Sequence, residues 1–193
     1  VGEAGCSFCP AVYHGKRRAE NFKSQQIIGL DFDSGVPFHI IQERAKYYHL
    51  KMLFAYKTFS HTAEHERFRV VFALQHKITD SVTAKSIVSI FMKIFENCDE
   101  ACKDSARLFF GGKGLLHLAS KPHEISLGEI ILAFTAYMFD KYGGKHYTRE
   151  LQKFYIANHI RFEKNHPITD HGSFIPETSP QPVRSHASDK LKN

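Results

Sequence analysis

Apolar and polar positions follow two rhythms along the chain, one of period two and one of helical period. Residues 27–33, Ile27-Ile28-Gly29-Leu30-Asp31-Phe32-Asp33, form a short apolar run stopped by Ser34-Gly35, the pattern of a strand ending in a turn. Phe38, Ile41, Ala45 and Tyr48 then recur at helical spacing, with Pro37 suited to the first turn. Residues 52–58 predict a second strand, 60–66 a polar connection and 67–74 a third strand. Ile87, Val88, Phe91, Ile94 and Phe95 make a helical stripe behind a cap at Thr79 or Asp80. Leu108-Phe109-Phe110, closed by Gly111-Gly112, predicts a short fourth strand, and amphipathic helices follow over 126–140 and 148–162. Apolar periodicity ends near Phe162. Four prolines (Pro167, Pro176, Pro180, Pro182) then fall among Ser, Thr, Asn and charged residues. The chain therefore divides into an N-terminal segment (1–26), a core with C-terminal helices (27–162) and a Pro-rich tail or linker (163–193).

The order strand, helix, strand, strand, helix, strand is a split βαβ arrangement with an antiparallel sheet, the α+β layout of ferredoxin-like and RNA-recognition-type (RRM-like) domains within the broad α/β class. Handedness of the crossovers leaves the first and third strands central and antiparallel, the second flanking the third and the fourth flanking the first. In this layout three distant segments meet at one end of the sheet: residues 31–33, 60–66 and 97–104.

That meeting point carries candidate chemistry. Side chains two apart on a strand share a face, so Asp31 and Asp33 project together. Paired carboxylates repel unless a cation neutralises them, and hard divalent cations prefer oxygen ligands. A third acid, Asp99 or alternatively Asp104, would complete a two-metal site of the kind that clamps a phosphoryl displacement. His61 is a candidate donor to triphosphate oxygens. Arg67 and Arg69 share a strand face, and their guanidinium forks suit phosphate. His65 beside His61 has the simpler reading of an exposed loop residue.

Composition changes this picture little. Lys+Arg number 26 against 20 Asp+Glu, a net charge of +6 that permits a polyanionic partner without requiring one. Apolar content of 42% excludes a disordered or collagenous chain. No apolar run approaches a membrane span and no signal peptide is visible, so no membrane partner and a cytoplasmic, reducing compartment are expected. The start at Val1 suggests a fragment. Cys6-x-x-Cys9 and Cys98-x-x-x-Cys102 are capable of supplying four thiolates to one Zn²⁺, with ordinary thiols as the favoured alternative.

The same segments resemble the catalytic domain of archaeo-eukaryotic primases (AEP superfamily), specifically the primase-polymerases of phages, plasmids and integrative elements. Gly29-Leu30-Asp31-Phe32-Asp33-Ser34-Gly35 resembles the first acidic motif. Tyr56-Lys57-Thr58-Phe59-Ser60-His61-Thr62, followed by Arg67-Phe68-Arg69-Val70-Val71-Phe72, is similar to the Ser/His motif and its strand. The Ser-x-His pattern is altered, because Ser60 immediately precedes His61. Residues 98–112, from Cys98-Asp99-Glu100 through Lys103-Asp104-Ser105-Ala106-Arg107, are similar to the third motif. The N-terminal Cys9-Pro10-Ala11-Val12 and the run from Lys16 to Phe22 also look like the mobile-element branch.

The resemblance implies template-directed nucleotidyl transfer from nucleoside triphosphates, as a DNA primase, a DNA polymerase or both, on a single-stranded template or primer-template. It implies two Mg²⁺ or Mn²⁺ ions on Asp31, Asp33 and a later acid, with Asp99 preferred because the family's acid precedes a similar Lys-Asp-x-x-Arg stretch, and Asp104 the alternative. It places the incoming nucleotide at His61 and Ser60, with Arg67, Arg69 and Arg107 as phosphate contacts. Lys16, Arg17, Arg18 and Lys113 are candidate template contacts, and a fused or associated helicase is a candidate partner. Two other classes stay open: a non-catalytic RRM-like binding module that stacks bases on strand aromatics, and a replication-initiator nicking nuclease using His61 and His65.

Overall fold

The computed structural model describes residues 6–163 and 166–168. Within them the chain runs β1 (Ala11–Tyr13), β2 (Phe22–Phe32), α1 (Phe38–Tyr47), β3 (Phe54–Thr58), β4 (Phe68–Ile78), α2 (Ser81–Ile94), β5 (Gly112–Leu118), β6 (Glu124–Ile125), α3 (Leu127–Tyr142), α4 (Tyr147–Ala157), β7 (Arg161–Glu163) and β8 (His166–Ile168). A six-stranded, mainly antiparallel sheet has the order β1-β2-β4-β3-β5, and β6 joins β4 in parallel at Ala73 and Leu74. The class is α+β, as the strand and helix periods predict.

Period-two alternation in β2 and β4 builds the core. Ile28, Leu30 and Phe32 and, from β4, Phe68, Val70 and Phe72 are fully buried. Phe32 stacks on Phe68 at 4.9 Å, Phe38 of α1 meets Phe68 edge-on, and Phe91 and Phe95 at the end of α2 pack on Phe72. Burial of this apolar face, at about 25 cal/mol per Å² removed from water, is the main stabilising contribution. Local signals set where the helices begin. Asp80 caps α2 by accepting from the Thr83 amide at 2.6 Å, and Ser126 and Glu129 form a reciprocal capping box at the start of α3. The α1 start is closed from outside, by Glu66 Oε2 accepting from the Phe38 amide at 2.9 Å.

The central pair is as expected, with Asp31 opposite Arg69 in β2 and β4, and β3 on the far side of β4. The fourth strand is not. Residues 108–110 form no strand; Phe109 makes only an isolated bridge with Phe8. The next strand, β5, pairs with β3, and the outer position beside β2 is taken by β1 from the N-terminal segment. Two glycines explain the path. Gly29 leaves a bare patch on β2 over which the Phe109 ring lies; a Cβ there would stand 3.0 Å from the ring. Gly112 then lets the chain seat against β3, where a Cβ would fall 1.9 Å from the Lys57 carbonyl oxygen. Two boundaries also differ. α4 stops at Ala157 and a β7–β8 hairpin follows, so strand pairing reaches past Phe162 to Ile168. The rest of the proposed tail lies outside the described residues.

Candidate active site

The face of the sheet opposite the helices carries the polar site. Asp31, Arg69 and Tyr56 stand in register across β2, β4 and β3. Below that row the stacked rings of Phe8 and Phe109, 5.3 Å apart, close the face from solvent. Above it the chain leaves β2 at Asp33 and leaves β3 into residues 60–66.

Asp99 reaches the same place through backbone bonds. After α2, Asn97 takes a left-handed conformation (φ 71°) and turns the chain back. The Asp99 amide donates to the Asp31 carbonyl at 2.8 Å, and the Asp31 amide donates to Cys102 Sγ at 3.3 Å. Ligand oxygens of Asp31, Asp33 and Asp99 thus lie within 4.8 Å of one another. Among the described residues this is the one such group of His, Cys, Asp and Glu side chains able to hold a metal. Asp104 stays apart, accepting from the Ala106 amide at 2.9 Å.

Two arginines offset the acids. Asp31 is 1% exposed, and its Oδ2 accepts from Arg69 at 3.1 Å and from Arg107 at 2.7 Å. Arg107 also bonds Asp99 Oδ2 at 2.8 Å, bridging two members of the trio. Burial opposes charge on both guanidiniums, yet their carboxylate partners hold both pKa values above the ordinary arginine value. The Ala101 amide and Arg107 hold Asp99 below the usual carboxylate range, against its partial burial. Asp33 goes the other way: burial and then the charge of Asp31 raise it, with Arg67 and Arg69 opposing. Three carboxylates against the guanidiniums of Arg69 and Arg107 leave one negative charge in excess.

A divalent cation fits this donor set. Asp31 Oδ1 is buried with no protein partner, and a buried carboxylate oxygen without a donor is costly. A hard cation satisfies such an oxygen, and Asp33 adds a further carboxylate oxygen to the same cluster.

His61 Nδ1 lies 3.1 Å from both the amide and the carbonyl of Arg67. That carbonyl already accepts from the Thr58 amide at 3.0 Å and the Arg67 amide points its hydrogen at Nδ1, so Nδ1 is assigned as acceptor, the tautomer with its N–H on Nε2. Ser60 Oγ pairs with Thr58 Oγ1 at 3.2 Å and sits 3.5 Å from Arg67. The Nε groups of Arg67 and Arg69 are buried donors without a protein acceptor.

Other expected residues sit elsewhere. Lys16, Arg17 and Arg18 are exposed in the β1–β2 connection, and Lys113 is exposed on β5 opposite Lys57. Among the described residues no three of the four cysteines come together as one ligand group, and burial raises the Cys102 thiol to about 11 and the Cys98 thiol to about 12. His65 is not part of the acid cluster's ligand group; its Nε2 lies 2.9 Å from the Asp33 carbonyl oxygen. The central-strand aromatics Phe32, Phe68 and Phe72 point into the core and not onto the face that carries Asp31. Sequence reading missed Tyr56, whose hydroxyl donates to the Phe110 carbonyl at 2.8 Å and whose ring lies under Arg69. Its two-residue spacing from Thr58 was the available signal.

No helix among the described residues is long and apolar enough to cross a membrane. No curated protein matches the chain. Among solved structures, the AEP domain of the cyanophage S-2L primase-polymerase is similar at a TM-score of 0.48 and 11% identity, over 64% of this chain and 68% of that one. The family model of the VapE N-terminal domain matches residues 4–112, more than half the chain and the stretch that holds all three clustered aspartates, His61 and the arginines. On that match the chain belongs to the VapE N-terminal domain family.

Proposed function

We propose that this protein is a nucleotidyltransferase that extends or starts DNA chains from nucleoside triphosphates, acting as a primase-polymerase in replication of a mobile element or phage. The observation that carries the reading is the convergence of Asp31, Asp33 and Asp99 around a buried carboxylate oxygen with no protein donor, beside arginines with unsatisfied N–H groups.

The three aspartates would hold Mg²⁺ or Mn²⁺, two ions in the full complex, supplying charge neutralisation for an in-line displacement at phosphorus. The chain's own groups do the rest. His61 presents Nε2–H as a donor to a phosphate oxygen, oriented through Nδ1 by the Arg67 backbone. Arg67 and Arg69 offer Nε–H to anionic oxygens, and Arg107 and Ser60 border the same space. A 3′-hydroxyl forms the new bond to the α-phosphorus, the bridging oxygen to the β-phosphorus leaves with pyrophosphate, and the hydroxyl proton passes to solvent. Lys16, Arg17, Arg18 and Lys113 are assigned to template backbone. The catalytic lobe comprises residues 27–162 with the N-terminal segment.

The test is incorporation from ribo- and deoxyribonucleotide pools with Mg²⁺ or Mn²⁺, with and without a primer. Asp31→Asn combined with Asp33→Asn abolishes incorporation while circular dichroism shows a folded protein. Undiminished synthesis by that double variant refutes the assignment.

A further inference from the structure

Adjacent phenylalanines have opposite fates at the rim of the site. Phe109 is 1% exposed, pinned between Phe8 and the bare surface of Gly29, whereas Phe110 is 58% exposed. Phe110 is nevertheless held firmly. Its carbonyl accepts from the Tyr56 hydroxyl at 2.8 Å and from the Arg69 guanidinium, and the Phe109 backbone exchanges two hydrogen bonds with Phe8 at 2.8 and 2.9 Å. The same guanidinium that bonds the Phe110 carbonyl bonds Asp31. A flat apolar ring thus stands in water on a backbone held by Tyr56 and Arg69, and Arg69 ties that backbone to Asp31 of the acid cluster. Gly111 and Gly112 follow it without side chains, and the other exposed aromatic at this end of the β3–β5 pair, Phe59 at 48%, follows Thr58, the partner of Gly112.

We propose that Phe110 is the platform on which the base of the bound nucleoside triphosphate stacks. This deepens the nucleotidyltransferase reading and rests on it. A partner that needs a flat apolar face, guanidinium donors and a carboxylate trio within one short span is a nucleotide: base for the ring, phosphates for the arginines, and cation-bridged phosphates for the acids. A peptide would leave the acids and arginines unused. The fixed backbone means that little ordering is lost on binding. Phe110 acts through stacking and is a positioning residue.

The chain contains no tryptophan, so Phe110→Trp installs a single fluorescent reporter at the platform. Titration with dATP or ATP in Mg²⁺ quenches its emission, more strongly than dCTP does, and inorganic tripolyphosphate does not. Phe110→Ala weakens nucleotide binding roughly 5- to 150-fold by calorimetry, the range for loss of one base–aromatic stack. Phe110→Tyr restores it, and Mn²⁺ binding measured by electron paramagnetic resonance without nucleotide is the same in all three variants. Quenching by a single-stranded oligonucleotide but not by nucleotide overturns the proposal in favour of a template contact. Nucleotide binding that Phe110→Ala leaves unchanged overturns it alone, whereas wild-type protein that binds no nucleotide overturns it together with the nucleotidyltransferase reading.

Discussion

Removing Asp31 should destabilise this protein, although it is an acid in a crowded acidic cluster. Loss of a carboxylate from such a cluster ordinarily relieves repulsion and stabilises. Asp31 differs because it is 1% exposed and its Oδ2 is shared by Arg69 and Arg107, themselves only 11% and 18% exposed. Asp31→Ala leaves both guanidiniums in place with Asp99 as the one remaining carboxylate on Arg107. Breaking a buried ion pair from one side costs about 3–5 kcal/mol. For a domain of this size each kcal/mol shifts Tm by roughly 2–4 °C, so a drop of about 6–20 °C is expected.

Asp33 should behave oppositely. It is exposed, and burial of its surroundings and the charge of Asp31 raise its pKa. A carboxyl whose folded pKa is raised contributes stability below its ordinary pKa and loses it as pH rises through the raised one, so ionised Asp33 is a net cost at neutral pH. Asp33→Asn therefore holds or raises Tm there, and its advantage shrinks on acidification. Scanning calorimetry at neutral pH in EDTA measures both. Arg107→Gln in the Asp31→Ala background closes a double-mutant cycle, and the two effects must fall short of additivity by about 0.5–3 kcal/mol. Equal Tm values for the two aspartate variants, or strict additivity in the cycle, would refute the electrostatic account.

Two further expectations concern the frame around the site. Gly112→Ala places a Cβ 1.9 Å from a backbone oxygen, a clash no rotamer relieves, so β5 must part from β3. Hydrogen exchange should show lost protection at residues 54–58 and 112–118, while Gly29→Ala, which meets only the edge of the Phe109 ring, costs about 1–3 kcal/mol. Glu96 is held below the usual carboxylate range, where Lys141, Tyr137 and Arg44 together outweigh its partial burial. Its stabilising contribution is present above its ordinary pKa and lost as pH falls through the lowered one, so Glu96→Gln flattens the acid limb of a Tm-against-pH curve; an unchanged limb would show the cluster to be solvated.

Local pattern accounts for much of this molecule. The alternation of Ile28, Leu30 and Phe32 with Gly29 and Asp31, the cap at Asp80 and the Ser126–Glu129 box are each written within a few residues, because they depend on backbone period and on side chains reaching their own helix ends. The meeting of residues 31–33 with the segment 97–104 also follows from element order, since strand and helix directions decide which ends lie together; that Asp99 and not Asp104 joins the pair is set by the Asp99–Asp31 backbone bond. The course of residues 105–118 does not. Leu108-Phe109-Phe110 has the composition of a strand, but whether it pairs beside β2 or crosses over it depends on a missing Cβ at Gly29, eighty residues away, and on the fit of Gly112 against Lys57. Close packing makes such choices through contacts between segments far apart in the chain.

The arginines teach the same lesson in charge. Their two-residue spacing marks Arg67 and Arg69 as facing one way, yet nothing in that spacing shows that Arg69 and Arg107 would close on one oxygen of Asp31 and leave the other bare. Periodicity settles which residues face together, because it is a property of one backbone. Which oxygen is satisfied and which is left without a donor is settled only where three segments share a buried space, because there each group competes for the same few partners.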